Sequence, residues 1–339
     1  MARTLHRDIT VIGGSAGGIS ALREMLAGLP VDYPTAVFIV VHVSPEAPSV
    51  LHQILDRVCK LPVAVARSGA RVRPGTVTLA SPDLHLVFKD DQVLSVHGPR
   101  ENRHRPSIDV LFRSAALTYG PRVTGVIVSG MLDDGAAGLW AIKSRGGIAV
   151  VQDPADAEFP NMPRNALQVT EVDYRLPLRE IASTLTRIAH EKVQGVEEGA
   201  PQNMATEVRV IARNDTTMED LDAIAERVPF TCPECGGALW ELTNGGPRYR
   251  CHNGHAYSLN TLASEQAIQV EAALWAGLRR LEESERLSRR MESFARARNN
   301  EQSANYHADM ARSSATHAET LRALLREKTS TPANEAATG

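Results

Sequence analysis

Three positions in the first half of the chain carry residue types that together perform acyl-transfer chemistry. The first is Gly13-Gly14-Ser15-Ala16-Gly17-Gly18, which fits the pattern G-x-S-x-G. Glycines at that spacing allow a tight strand-to-helix turn that exposes a serine hydroxyl beside the free N–H groups of a helix N-terminus. Ser15 is therefore a candidate nucleophile, with those N–H groups to receive an oxyanion. On the turn alone, a phosphate-cradling or purely structural role stands beside this one. The dinucleotide-binding form would need glycine where Ser15 stands, and the Walker form would need Gly-Lys-Ser/Thr. The second position is His42, in Val41-His42-Val43-Ser44-Pro45. A lone histidine at a strand end is more commonly a core residue with a satisfied hydrogen bond, but here its place relative to Ser15 makes it a candidate general base. The third is Asp133-Asp134, in Ser129-Gly130-Met131-Leu132-Asp133-Asp134-Gly135-Ala136. One aspartate can cap the following helix while the other orients the histidine, and the residues themselves do not choose between them.

A second constellation lies further along. Cys232-Pro233-Glu234-Cys235 is followed by fifteen residues and then Cys251-His252-Asn253-Gly254-His255. A C-x-x-C knuckle brings two thiolates to one ion, and a second ligand pair at this distance closes a tetrahedral zinc site. Cys232, Cys235 and Cys251 are the clear ligands; His255 is preferred over His252 as the fourth, because His252 directly follows Cys251. Four protein ligands leave no open position, so the zinc would be structural and catalysis would need no cofactor. Arg248, Tyr249 and Arg250 form a small basic stretch here that could touch nucleic acid, but two arginines are too few to argue it.

The elements that must position these residues alternate. Asp8–Ile12, Thr35–Val41 and Val123–Ser129 are apolar runs suited to strands buried on both faces. Helices are expected over 18–29, around 49–58, over 109–117 and over 136–145, with a further strand at 148–152. Strands alternating with helices predict an α/β fold with a doubly wound, mostly parallel sheet, whose ligand site lies at the carboxyl ends of the strands. Ser15, His42 and the aspartate pair all fall at such ends. Short strand candidates at 62–66, 76–80, 84–88 and 92–96 suggest a small antiparallel excursion on one edge. Periodicity fades from about 190 to 226, which reads as a linker, and the chain from 262 to 327 has helical spacing with a polar interruption at 296–303. The two resulting helices would pack as an antiparallel pair or self-associate. Trp240 and Trp275 are expected in the core of the small module and its helix, and Cys59 in a core position at a helix end.

Composition agrees with this organisation. The chain has 339 residues, 43% hydrophobic and 23% charged, with a formal net charge of −3, which excludes a generally basic nucleic-acid binder. No apolar run is long enough to span a membrane. The strand pattern begins at residue 8, which leaves no room for a signal peptide, and the four cysteines fit metal better than disulfides, so a cytoplasmic location is expected.

The blocks IGGSAGG, VVHVSP, RPSIDVLFRSAA, SGMLDDGAAG and FPNMPRNAL, in this order over about residues 8–190, resemble the catalytic domain of the chemotaxis receptor methylesterases, the CheB family. The resemblance implies Ser15 as nucleophile, His42 as base and Asp134, rather than Asp133, as acid, because Asp134 directly precedes Gly135-Ala136. It also implies that the backbone of Met131 helps the oxyanion. Arg105, Pro106 and Asp109 belong to a shared block that a helix start also explains, and Arg164 is either at the active-site rim or a surface charge. The implied activity is demethylation of glutamate methyl esters on chemoreceptors, with deamidation of receptor glutamines as a related reaction. A non-catalytic scaffold that keeps the fold and a nucleotide-binding regulator are the rival readings. Full-length members carry a receiver domain in front, so its control is expected to be missing in cis here. Threonine often follows the family's serine, where this chain has Ala16. The metal module is similar to zinc-ribbon tails that follow some stand-alone methylesterase domains. The expected organisation is a catalytic domain over 1–192, a linker over 193–227, a zinc-ribbon-like module over 228–260, a helical hairpin or long helix over 261–328 and a disordered tail over 329–339.

Overall fold

The computed structural model describes residues 5–43, 50–193, 201–213, 217–242 and 244–330. The chain forms, in order, β1 (Leu5–His6), β2 (Ile9–Gly14), α1 (Gly18–Gly28), β3 (Ala36–Val41), α2 (Leu51–Asp56), β4 (Val63–Val65), β5 (Ala70–Arg71), β6 (Thr76–Leu79), β7 (His85–Lys89) and β8 (Gln92–Val96). Then come α3 (Ile108–Tyr119), β9 (Val123–Ile127), α4 (Ala136–Ser144), β10 (Ile148–Gln152), α5 (Asn161–Val169), β11 (Tyr174–Leu176), α6 (Leu178–Ala189) and β12 (Lys192–Val193). The last part holds α7 (Gln202–Arg213), α8 (Met218–Asp222), β13 (Glu226–Thr231), β14 (Ala238–Leu242), β15 (Arg248–Cys251), β16 (Ala256–Ser258), α9 (Leu259–Ala297) and α10 (Glu301–Ser330). Two compact units result, Met1–Leu262 and Ala263–Gly339.

The first unit is built on a seven-stranded sheet in the order β11-β10-β9-β2-β3-β6-β4, parallel throughout. Every residue of β2, β3 and β9 is buried. Helices cover both faces of these strands, which is why their apolar runs are unbroken. On one face Val11 and Phe38 pack with Leu111, Phe112 and Leu139 of α3 and α4. On the other, Ile39 and Val126 pack with Leu22, Met25 and Leu185 of α1 and α6. From β2 the order runs to β3 on one side and to β9 on the other, so a crevice opens at the carboxyl end of β2, where such sheets place their sites.

Two expectations about these connections need correction. Of the short strands at 62–96, β4 and β6 extend the parallel sheet, and only β5, β8 and β7 form the antiparallel one. The stretch read as a linker contains α7, which buries Val208 and Ile211 against Val87 and Val110. Its apolar positions recur at helical spacing, but polar neighbours on the other face obscure them. Residues 194–200 and 214–216 of that stretch lie outside the described residues. The C-terminal part of the first unit is a four-stranded antiparallel sheet, β13-β14-β15-β16, packed around Leu239, Tyr249, Tyr257 and Leu262. Trp240 is fully buried there.

In the second unit α9 and α10 form an antiparallel hairpin seamed by Leu278, Ala318 and Leu325, with Leu274, Leu281 and Leu321 beside them. Trp275, expected in this core, is 50% exposed because it falls off the seam. The expected tail begins within α10, which runs to Ser330, and residues 331–339 lie outside the described residues. Among the described residues no helix is long and apolar enough to cross a membrane.

Because α7 contributes to the core, Ile211→Ala should lower the unfolding free energy by about 2–4 kcal/mol, as buried aliphatic truncations do. Denaturant unfolding measures this, and a change near zero would return the segment to the role of a linker.

Candidate functional site

The chain leaves β2 at Gly14 and turns through Ser15, Ala16 and Gly17 into α1. Gly17 has φ 70, and a Cβ there would lie 2.6 Å from Ser129 Oγ, so no side chain fits. Ser129, past the end of β9, clamps the turn: its Oγ donates to the Ala16 carbonyl (2.8 Å) and its carbonyl accepts from Ser15 N (3.0 Å). Gly130 is needed for space, since a Cβ on it would lie 3.0 Å from Ser15 Cβ and 2.6 Å from Met162 Sδ.

His42 comes directly after β3 on the neighbouring strand. Its Nδ1 lies 3.2 Å from Ser15 Oγ and its Nε2 lies 2.9 Å from Asp134 Oδ2. The side chains of His42 and Asp134 are 7% and 1% exposed, while Ser15 is half-buried and reachable. The structure thus brings Ser15, His42 and Asp134 into one relay. Asp133 points elsewhere and accepts from Ser258 Oγ (2.6 Å) and Thr261 Oγ1 (2.9 Å).

Asp134 sits beneath the N-terminus of α3. Its carboxylate accepts from Ile108 N (2.7 Å), Asp109 N (3.2 Å), Ser107 Oγ (2.9 Å) and Asn102 Nδ2 (3.2 Å), besides His42. Burial alone would raise its pKa. The hydrogen bond and charge of His42, with the Ile108 N–H, outweigh that and hold the carboxyl well below the usual range. An ionised Asp134 against Nε2 makes Nε2 the protonated nitrogen and leaves the Nδ1 lone pair facing the Ser15 hydroxyl. This is the arrangement a general base requires.

Two neighbours of the relay escape sequence reasoning. Asp109, read as part of a helix start, is buried and caps α4 by accepting from Gly135 N (3.0 Å) and Gly138 N (2.6 Å). Burial and the Asp134 carboxylate push its pKa up to about 7. The His104 ring stacks on His42 at 3.5 Å and 10°. Burial, then the charge on His42, hold its pKa down to about 4, so it stays neutral beside His42. Met131 is 51% exposed beside Gly130. Arg105 pairs with Asp83 and the Gly98 carbonyl rather than with the relay, and the bond from it to Pro106 is cis. Arg164 is exposed on α5, and Cys59 is half-buried with a thiol pushed up by burial. Ser44 and Pro45 lie outside the described residues.

The second constellation also closes in space. Ligand atoms of Cys232, Cys235, Cys251 and His255 all lie within 4.8 Å of one another. Cys235 Sγ and Cys251 Sγ are 3.7 Å apart, and His255 Nδ1 lies 3.5 Å from Cys251 Sγ and 3.7 Å from Cys232 Sγ. Zn–S bonds of about 2.3 Å and Zn–N bonds of about 2.0–2.1 Å imply tetrahedral edges of about 3.8 and 3.6 Å, so the donor set fits that ion. The other nitrogen of His255 faces Glu234 Oε2 at 3.4 Å, the carboxylate support that metal-bound histidines commonly have. His252 is not in the cluster and packs against Gly237.

Arg248 and Arg250 are not a nucleic-acid patch. Both are buried: Arg248 forks onto Glu207 of α7 (2.7 and 2.9 Å), and Arg250 reaches Glu101 (2.5 Å), Glu207 (3.3 Å) and the Gly254 carbonyl (2.9 Å). Arg113 of α3 completes the network on Glu101 (2.7 Å).

A parallel sheet with this Ser-His-Asp geometry is an arrangement that serine hydrolases of α/β type use, and comparison narrows the class. Residues 10–185 match the family model described as CheB methylesterase, and the chain belongs to that family. A protein of Leptospira interrogans is 40% identical over 185 residues, which is 54% of this chain and 96% of that protein. A protein-glutamate methylesterase/protein-glutamine glutaminase of Thiobacillus denitrificans is 40% identical over 187 residues, 52% of this chain and 51% of that protein. The crystal structure of the Thermotoga maritima CheB methylesterase catalytic domain is similar with a TM-score of 0.51 and 30% identity, covering 53% of this chain and 97% of that one. The segment matching the family model ends before the metal cluster and the helical hairpin.

His104 has a measurable signature. Its depressed pKa means that unfolding takes up a proton between about pH 6.5 and 4, so stability is lost as pH falls through that window. His104→Gln should remove about 2–3 kcal/mol of the loss seen between pH 7 and 4. Urea unfolding at the two pH values is the check, and equal losses in both proteins would show that His104 does not titrate in this way.

Proposed function

We propose that this chain is a protein-glutamate methylesterase, a serine hydrolase that removes methyl groups from glutamate side chains of chemoreceptors, with glutamine deamidation by the same chemistry. One observation carries the reading: the buried Asp134 carboxylate holds His42 so that its bare Nδ1 faces the accessible Ser15 hydroxyl. Membership of the family and the names of its relatives support the substrate class.

Each step uses groups already described. Ser15 Oγ attacks the ester carbonyl while His42 Nδ1 takes its proton. Asp134 stabilises the doubly protonated ring. Ser15 N and Gly18 N are taken by the Ser129 and Ser15 carbonyls, so the N–H groups of Ala16 and Gly17 between them would receive the developing oxyanion. Collapse of the tetrahedral species expels methanol, which receives the proton from His42, and leaves a glutamyl ester on Ser15. Water, deprotonated by His42, then releases the glutamate carboxylate and restores the serine. For a glutamine side chain the leaving group is ammonia. An open crevice suits a receptor as substrate, and free cysteines gathered as metal ligands rather than disulfides support a cytoplasmic location. The cluster of Cys232, Cys235, Cys251 and His255 would hold one structural zinc, which takes no part in the reaction. The hairpin leaves Trp275, Leu287, Met291 and Phe294 exposed, which supports self-association of the chain through its C-terminal helices.

Ser15→Ala should lower methanol release from methylated receptor by roughly 10³-fold or more without unfolding the protein. Asp134→Asn should cost on the order of 10³- to 10⁴-fold, and Asp133→Asn far less. Retained turnover in Ser15→Ala would overturn the mechanism. Metal analysis should find about one zinc per chain, lost in Cys232→Ser and Cys251→Ser together with a lower melting temperature. Metal-free protein with unchanged melting would refute the zinc. Sedimentation velocity should show a dimer that Leu287→Glu/Phe294→Glu converts to a monomer; a wild-type monomer at tens of micromolar would remove self-association.

A further inference from the structure

The turn Glu101–His104 touches the relay on one side and the metal-binding sheet on the other. Towards the relay, His104 stacks on His42 and Asn102 Nδ2 donates to Asp109 (2.9 Å) and Asp134 (3.2 Å). Towards the sheet, Asn102 N donates to the Ala256 carbonyl (2.8 Å) and Asn102 Oδ1 accepts from Ser258 N (2.8 Å). Glu101 is buried between Arg113 of α3 and Arg250 of β15. The turn is closed on itself by Glu101 N to His104 O (3.3 Å) and His104 N to Glu101 O (2.9 Å). Asn102 and Arg103 are held at φ 49 and 71, a conformation that costs energy in non-glycine residues and persists only where surroundings impose it. Asp133, adjacent to the acid, is in turn held by Ser258 and Thr261.

We propose that the sheet β13–β16 is a working part of the active site, positioning His42 and Asp134 through the turn Glu101–His104, with Asn102 and Arg250 as the positioning residues. The inference rests on the reading of Ser15, His42 and Asp134 as the reacting set. The physical reason is geometric. The Asn102 side chain bonds the acid and the sheet at once, its amide donating to Asp134 while its carbonyl accepts from Ser258. A shift of the sheet therefore moves a donor to the acid. Arg250 sets where the sheet sits, since its guanidinium joins Glu101 to Glu207 and to its own Gly254 carbonyl. The segment that matches the family model ends at residue 185, so this support is supplied by a part of the chain outside the matched region.

The test uses the full-length protein. Asn102→Gly deletes the bridging amide while keeping the positive φ without strain. Arg250→Met removes the anchor on the sheet side, and Arg250→Lys keeps the charge but loses the fork. Hydrolysis of a small ester should fall about ten- to hundredfold in kcat for Asn102→Gly and Arg250→Met, with KM little changed, as expected for sub-ångström misplacement of a base. Arg250→Lys should fall between them and wild type. The double variant Asn102→Gly/Arg250→Met should cost no more than the worse single one, because both act through one turn. Independently of any substrate, the downfield proton resonance of His42 Nε2–H should shift or broaden in each variant. Folded, metal-loaded variants with wild-type kcat and an unmoved resonance would overturn the proposal, as would strictly additive effects. If Arg250→Met does not fold, Asn102→Gly and Arg250→Lys decide by the same two readouts. If wild type hydrolyses no ester but the resonance moves, the positioning stands and the esterase reading falls.

Discussion

The arrangement depends on a buried carboxylate that must stay charged. Asp134 is almost wholly out of water, where an isolated carboxylate would be protonated. It remains an anion because the first N–H groups of α3, the Ser107 hydroxyl, the Asn102 amide and His42 all donate to it. Helix dipole and hydrogen bonds act in the same direction, and the low dielectric that makes burial costly also strengthens each of these contacts. The tautomer of His42, and hence the nitrogen whose lone pair faces the Ser15 hydroxyl, is set by that charge.

Around this anion the protein assembles further buried ionisable groups, each with hydrogen-bonding or charged partners. Asp109 is taken up by the N-terminus of α4, so the two carboxylates each have a helix start of their own. Arg113, Arg248 and Arg250 face Glu101 and Glu207 with every side chain nearly or fully buried. Such clusters rarely add net stability over apolar packing, because desolvation offsets attraction. What they provide here is a defined register: a guanidinium fork on a carboxylate tolerates little sliding, and this one joins α3, α7 and β15, which come from three distant parts of the chain.

Much of the catalytic half is legible in the order of residues. β2, β3 and β9 are unbroken apolar runs because both faces are covered, and a parallel sheet then places the residues just past the end of each run at one edge. Ser15, His42 and the aspartate pair are visible for that reason. Less is legible where elements are short or partners remote. β4 and β6 have three and four residues, too few for periodicity to say which sheet they join. The helix α7 carries a clear apolar face, yet in a polar stretch flanked by glycine and proline it looks like a connector.

The sequence by itself determined the chemistry available and the local geometry that presents it. The glycine turn, the strand-end positions and the cysteine–histidine spacing are short-range properties, set by backbone sterics and ligand reach within a few residues. Tertiary structure decided which of two adjacent aspartates faces His42, because Asp134 is claimed by α3 and Asp133 by Ser258 and Thr261, residues more than a hundred positions away. It also decided that Arg248 and Arg250, which as a sequence look like an exposed basic pair, are interior groups holding Glu207 and Glu101. The first outcome is reachable from the sequence only through the resemblance of the Asp134-Gly135-Ala136 block, and the second from no local pattern: the preference of a side chain for one partner over another is settled by which groups burial leaves it to satisfy, and that is known only when the chain has closed on itself.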